Sequence, residues 1–488
     1  MIITDLLIFL LLIFNIYLFY QLIKSALFFI YLIQLKEYRL DRILVHLNTP
    51  TGKKQLIDNL NIIKGKKAYY PSITGRVCLT LLIIGFFYYH LFFLFLRFFY
   101  LLIYIIPGSL WLAIILNFWI FIFLNPLFTF LALGISGLLA LPIKQLIFFL
   151  AAKKIKTGKG LLVIGITGSY GKTTTKEMLS FLLEKKFNLL KTPLNCNTKL
   201  GIALLILKKL KPEHEIFIVE IGAYKKGEIK ELCQMVKPKI GILTGINEQH
   251  LALFGSLKNT IATKYELIQS LPADGLAIFN EKDKYVLPLA KKTKKEKKLY
   301  GKDKNVYKTQ LIGYWYQQAI QAALIVGEYL GLAKQPMIKR LTQFKNFSST
   351  IKINKGKNRV TIIDDSYNSN PDGFRSVLDL LAEMPGKEKI LVTSGIIELG
   401  AAADEIHQEF GRKAGLICTK IFLTNADFEQ SMIKGIKKVK SEDILEVEND
   451  PKRLLEKLRK YFNKNNIVLL EGRVAIRFSI YQKKYDRN

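Results

Sequence analysis

From Leu6 to Ile33 the chain carries a single charge, Lys24, and a bilayer span needs about 20 such residues. The run is too long for a signal-peptide core. It has no basic segment before it and no small-residue cleavage site after it, so it is expected to stay in the membrane. The next stretch, Gln34 to Arg76, holds Lys36, Arg39, Arg42, Lys53, Lys54, Lys64, Lys66, Lys67 and Arg76 against three acids. An excess of Lys and Arg marks the cytoplasmic side, which places this loop there. A second apolar run covers Val77 to Ile106 and ends at Pro107-Gly108. A third starts near Leu110 and fades into Pro142, Lys144 and Lys153-Lys154-Lys156. Three spans from an outside N-terminus bring residue 151 onward into the cytoplasm, whereas four would put it outside, so three are expected. Pro126 is expected to kink or split the third run, and about Ala140 to Ala152 to lie along the interface as a basic amphipathic helix.

Residues 1–150 hold 12 of the 72 Lys and Arg and 4 of the 39 Asp and Glu. The remainder is therefore a basic, water-soluble half, and the whole is neither an ordinary soluble enzyme nor a disordered basic tail. Lys, Ile, Phe, Tyr and Asn are abundant throughout, so part of the +33 formal charge reads as compositional bias. The run Lys291 to Lys298 reads as a solvated or membrane-facing surface, with no nucleic-acid partner expected. Cys78, Cys196, Cys233 and Cys418 lie far apart with no C-x-x-C pair. That spacing argues against a zinc ribbon, a redox motif or a secreted disulfide framework.

After the lysines, Leu161-Leu-Val-Ile-Gly165-Ile-Thr-Gly168-Ser169-Tyr-Gly171-Lys172-Thr173-Thr174 reads as strand, glycine-rich turn and helix start. Met178, Leu179, Leu182 and Leu183 continue it at helical spacing. Glycines let backbone N–H groups close on a phosphate, Lys172 brings charge to the β and γ oxygens, and the Thr173 hydroxyl suits Mg²⁺. Ile166 stands where the generic pattern wants a small residue. Ile216-Phe-Ile-Val-Glu220 is a buried-strand run that puts Glu220 at a strand's C-terminal end, where α/β sheets bind ligands and a carboxylate can hold Mg²⁺. His250 likewise follows the strand Ile240-Gly-Ile-Leu-Thr.

The form G-x-T-G-S-x-G-K-T-T-T resembles the Mur ligase family, and most of all its MurF branch, over about Leu161 to Arg473. Further motifs stand in the family's order: Leu194-Asn195-Cys-Asn197-Thr-Lys-Leu-Gly201, Val219-Glu220-Ile-Gly222-Ala223, Asn247-Glu-Gln-His250, Ala262-Thr-Lys264-Tyr-Glu266, Asp364-Asp365-Ser-Tyr367-Asn368-Ser-Asn370-Pro371 and Glu398-Leu-Gly400. The resemblance implies ATP and Mg²⁺ as cofactors. It implies nucleotide contacts from Gly168, Ser169, Gly171, Lys172, Thr173, Thr174 and Asp365, the last near the ribose. It further implies metal ligation by Thr173, Glu220, His250 and a carbamylated Lys264, with Lys172, Glu220, His250 and Lys264 as the catalytic set. Asn195, Asn197, Tyr367 and Asn368 are the substrate-binding candidates, though for the two asparagines a plain turn reads equally well.

Three strings depart from the family. A G-x-H-N-x-x-N segment that meets adenine reads Gly313-Tyr-Trp315-Tyr316-Gln-Gln318-Ala319, with Trp315 or Tyr316 as candidates to stack on the base. The linker Asn346 to Ile351 has no arginine for the γ-phosphate, leaving Lys352 as a loose substitute. A K-G-S-R string reads Glu471-Gly472-Arg473-Val474. The expected fold class is α/β: N-terminal transmembrane helices over 1–150, with their cytoplasmic loop at 34–76, a phosphate-loop Mur-ligase central domain over 151–343 and a C-terminal Rossmann-like α/β domain over 344–488. The expected function is a multi-pass plasma-membrane ligase with its catalytic half in the cytoplasm. It would add an amino acid or dipeptide to the carboxylate of a cell-wall peptide precursor through an acyl phosphate, with other cell-wall enzymes as further partners. The alternative is a catalytically weakened, nucleotide-binding membrane scaffold of cell-wall synthesis.

Overall fold

The computed structural model describes residues 2–60, 69–105, 110–194, 196–347, 350–366 and 369–472. It divides into two compact units, Met1–Leu146 and Ile147–Asn488.

The first unit is helical. Helices Ile2–Leu35, Gly75–Ile105 and Leu110–Thr157, the last continuing into the second unit, coincide with the three apolar runs, and short helices Leu40–Leu47 and Pro50–Leu60 follow the first. Ile30, Val77, Ile84 and Ala132 form one buried contact between the long helices. Polar groups also join them. The Thr80 hydroxyl donates to Ser136 Oγ at 2.9 Å, Asn125 Nδ2 donates to the Leu22 carbonyl at 3.3 Å, and the Tyr88 hydroxyl donates to Asn125 Oδ1. The third run departs from expectation: neither Pro126 nor Pro142 ends the helix, which runs without a break from Leu110 to Thr157. No separate interfacial helix forms over 140–152. Ala151 and Ile155 are instead buried in the core of the second unit, and Lys154 Nζ donates to the Leu207 carbonyl at 2.9 Å. Core packing of that apolar stripe outweighs the basic flank that suggested a lipid surface.

The second unit holds two sheets. In the first, β1 (Leu162–Thr167), β2 (Leu189–Lys191), β3 (Ile216–Glu220), β4 (Ile240–Leu243), β5 (Leu276–Asn280) and β6 (Lys297–Tyr300) lie in the order β2-β3-β1-β4-β5-β6, all parallel. The apolar runs of β1, β3, β4 and β5 are buried because helices cover both faces. Alternate residues feed the two cores. Val163, Phe217 and Val219 meet Ile202, Leu232 and Leu267, while Ile164, Ile166 and Ile218 meet Met178, Leu182 and Val326. In the second sheet β7 (Lys352–Lys355), β8 (Thr361–Asp365), β9 (Lys389–Thr393), β10 (Lys420–Leu423), β11 (Leu445–Val447) and β12 (Ile467–Glu471) take the order β11-β10-β9-β12-β8-β7. It is parallel except for β7 on β8. In the first sheet the chain leaves β1 toward one edge and β4 toward the other, and ligand crevices open at the carboxyl ends of such points.

Candidate active site

β1 ends at Thr167 and helix Lys172–Leu183 begins five residues later, with the four residues Gly168 to Gly171 between them. Two backbone positions require glycine. Gly171 caps the helix at φ 77°, and a Cβ on Gly168 would stand 2.0 Å from Thr244 Oγ1. Thr244, just past β4, fixes the turn by donating to the carbonyls of Thr167 at 3.1 Å and Tyr170 at 2.5 Å. Ser169 N donates to the Gly245 carbonyl at 2.6 Å. Lys172 Nζ donates to the carbonyls of Gly168 at 2.7 Å and Ser169 at 3.1 Å. Its burial lowers the ammonium pKa, partly offset by Glu220.

The adjacent end of β3 brings in Glu220, paired in register with Ile166 of β1. Glu220 Oε2 accepts from Thr173 Oγ1 at 3.0 Å and from Lys176 Nζ at 3.3 Å. Lys176 is fully buried and also meets Glu177 at 3.3 Å. Asn197 meets the chain at Gly222, two residues past the end of Glu220's strand: its carbonyl accepts from Gly222 N at 3.0 Å and its side chain fills the space a Cβ at Gly222 would need.

His250 and Lys264 come from the segment after β4. His250 sits at φ 62° and its Nδ1 lies 2.6 Å from Glu398 Oε2; Glu398 also has a left-handed φ, 66°. Two non-glycine residues held in this region mark a local cost met by surrounding structure. Burial lowers the His250 pKa, Glu398 opposes that, and Lys264 and Lys172 add to it. Lys264, 3% exposed, is driven down to about 7, first by burial and then by the charge of Lys172. Glu266 accepts from Gly227 N at 2.7 Å and Lys230 N at 3.0 Å, at the start of helix Glu228–Val236, and its charge partly opposes the lowering at Lys264.

A cleft of about 400 Å³ opens over the phosphate loop. Ser169, Gly171, Lys172, Thr173 and Thr174 line one side; Asp365, Asp372 and Arg375 line the other, with Trp315, Tyr316 and Gln318 between. Gly168, Glu220, Asn197, His250 and Lys264 lie outside its lining, Glu220 reaching the cleft through Thr173. Asp365 ends β8 opposite Glu471 of β12. Burial, with Glu471 and Asp364 adding to it, raises Asp365 to about 8, and burial raises Glu471 to about 7. Glu471 accepts from Thr393 Oγ1 at 2.7 Å and from the Ser369 hydroxyl. Asn195, Tyr367 and Asn368 lie outside the described residues. Lys352 is exposed on β7, while Arg375, which the sequence reading passed over, lines the cleft, held by Glu409 at 2.7 Å and Asp372 at 3.2 Å.

The segment bearing His250 is gripped from the second sheet's side at two points. Asn247 Nδ2 donates to Asp372 Oδ2 at 2.7 Å and Asn370 Oδ1 at 3.3 Å, and Ala252 N donates to the Glu398 carbonyl at 3.1 Å. The signal for Glu398 was present in the Glu398-Leu-Gly400 motif but carried no role. Lys176 was legible only as the residue one helical turn beyond Lys172.

The description "Mur ligase middle domain" matches residues 166–328, and "Mur ligase, glutamate ligase domain" matches residues 351–474. Proteins named UDP-N-acetylmuramoyl-tripeptide--D-alanyl-D-alanine ligase are similar in sequence. That of Synechocystis is 30% identical over 275 residues, 51% of this chain and 59% of its own length. That of Bacillus subtilis is 27% identical over 339 residues, 64% of this chain and 73% of its own length. The chain thus spans about three fifths to three quarters of these relatives. The crystal structure of MurF ligase from Thermotoga maritima in complex with ADP is 26% identical, with a TM-score of 0.60 over 70% of this chain and 84% of that one.

Proposed function

We propose, for a chain that belongs to the Mur ligase family, that its second unit is an ATP- and Mg²⁺-dependent amide ligase of MurF type. It joins an amino acid or dipeptide to the carboxylate of a cell-wall peptide precursor. The observation that carries this reading is the Thr173–Glu220 pair beside Lys172 at the mouth of a cleft faced by Asp365. The residues fit the nucleotide: Gly168 and Gly171 allow backbone approach, Lys172 supplies charge and Trp315 or Tyr316 flanks the base position. They also fit Mg²⁺, which is commonly held by one or two carboxylates together with phosphate oxygens and water. Thr173 and Glu220 would supply one ion, His250 and Lys264 a second. When bound, the nucleotide would supply the γ-phosphoryl group, leaving ADP, to convert the substrate carboxylate into an acyl phosphate, and the amine would displace inorganic phosphate from it to form the amide. A Lys264 amine titrating near 7 is largely neutral above that pH, as carbamylation by CO₂ requires.

We further read helices Ile2–Leu35, Gly75–Ile105 and Leu110–Thr157 as membrane spans, with the ligase half cytoplasmic and the chain multi-pass in the plasma membrane. Among the described residues Leu127–Thr157 is long and apolar enough to cross a membrane, while Tyr20–Leu35 and Gly75–Leu91 are apolar but shorter. Leu82, Leu94, Leu138, Ile143 and Leu146 are each more than half exposed, an apolar surface that water-soluble monomers rarely carry.

Phosphate release by the purified full chain, screened with UDP-linked and lipid-linked peptide acceptors and candidate amines, tests the ligase. Release that depends on both acceptor and amine is expected. Nucleotide binding without such release would favour the scaffold reading, which Glu471 in place of the family's lysine supports.

A further inference from the structure

We propose that the first unit holds a binding site for the phosphate of an anionic lipid headgroup, formed by Arg76, Lys144 and Tyr38. This rests on the membrane reading above. Arg76 is the second residue of helix Gly75–Ile105, next to the basic loop whose charge marks the cytoplasmic boundary. Its guanidinium lies 3.7 Å from the centre of the Tyr38 ring and donates to the Leu133 carbonyl at 3.4 Å. Helix Leu110–Thr157 makes room for it at Gly137, where a Cβ would stand 2.9 Å from the same guanidinium nitrogen. Lys144 follows Gly137 by two turns of that helix, on the same face, and acts electrostatically on Arg76.

Among the described residues the two cations have no carboxylate to share. Of the nearby acids, Asp41 holds Arg39 at 2.7 Å and Glu37 holds Arg42 at 3.3 Å. Among the described residues neither Arg76 nor Lys144 forms an ion pair. Arg76 Nε and the Tyr38 hydroxyl are buried with no hydrogen-bond partner among those residues. Unpartnered buried donors beside two like charges are costly, and a phosphate oxyanion satisfies donors and charges together. The surroundings favour a lipid over free phosphate. Ile73, Leu139, Ile143 and Leu146 flank these positions in sequence and are 88%, 52%, 62% and 57% exposed, so an acyl chain has apolar surface to lie on. The inner leaflet supplies anionic headgroups at that depth.

The test uses the full chain in neutral detergent, with dioctanoyl phosphatidic acid as probe and dioctanoyl phosphatidylcholine and inorganic phosphate as controls. Phosphatidic acid is expected to bind at least tenfold more tightly than either control. Arg76→Gln and Lys144→Gln are each expected to weaken it fivefold or more, with an unchanged melting temperature in phosphatidylcholine. Lys144→Gln alters a partly exposed side chain and keeps the test sound if Arg76→Gln misfolds. Equal binding by both variants, or inorganic phosphate matching the lipid, overturns the site. Carbonate washing of membranes separates the two readings: release of the chain removes the membrane reading itself, whereas retention with unaltered lipid binding in the variants removes only the site.

Discussion

Lys176 shows how one side chain can change the meaning of another. From sequence, Glu220 is a cleft carboxylate whose replacement by alanine should spare the fold. In the structure it is also a counter-ion of a fully buried ammonium, shared with Glu177. Breaking a buried pair costs on the order of 3 kcal/mol, so Glu220→Ala is expected to lower the melting temperature as well as activity. Lys172→Ala is the cleaner probe. It should cut acceptor-dependent phosphate release at least a hundredfold with a melting temperature within a few degrees of wild type. His407 offers a test independent of the chemistry. Its Nε2 accepts from Ile396 N at 3.0 Å and its Nδ1 lies 2.6 Å from the Ala403 carbonyl, and burial lowers its pKa to about 4. Below about pH 6.5 the unfolded histidine binds a proton that the folded one refuses until about 4. The unfolded state therefore binds more protons, and stability falls as pH drops through that window by up to about 1.4 kcal/mol per unit. Thermal unfolding of wild type and His407→Asn at pH 7.5 and 5 should show wild type losing more. Neither pairing was legible in the sequence, because long-range partners leave no mark in residue spacing.

Among the elements, those marked by strong local patterns were readable and those set by packing were not. The strand, turn and helix from Leu162 to Leu183 follow from a buried run, three glycines and helical periodicity. The helix Leu110–Thr157 was misread because proline and lysine suggested breaks, whereas Ala151 and Ile155 enter a core contributed by Ile202, Ile206 and Leu271. A chain beginning at residue 147 should therefore keep the melting temperature of the ligase unit. One beginning at residue 159 loses both anchors, at about 3 kcal/mol or more, and should melt several degrees lower. The Glu398–His250 contact gives a second test at this scale. Glu398→Ala should lower kcat tenfold or more and raise the Mg²⁺ concentration needed for half activity, as loss of a histidine's orienting carboxylate does. Glu398→Gln keeps an acceptor and should recover most of both. A purely structural role would leave the Mg²⁺ requirement unmoved.

For the whole molecule, the charge distribution makes a directional statement. Cysteines placed at positions 53 and 291 of a chain otherwise free of cysteine should resist an impermeant maleimide in intact cells, and one at position 2 should react. Reaction at 291 would put the ligase half on the side that lacks ATP and end both the topology and the function proposed. The hydrogen bonds from Asn247 to Asp372 and from His250 to Glu398 have a temporal consequence. They join the segment beside the metal-binding candidates to the part of the unit that faces the nucleotide. If the proposed ligase opens that cleft to let ADP out, it would have to break them, and closing would have to remake them before the next carboxylate is activated. The slow event in each turnover would then be the departure of spent nucleotide, and mixing the chain with saturating substrates should give a rapid burst of phosphate, close to one per molecule, before a slower steady rate.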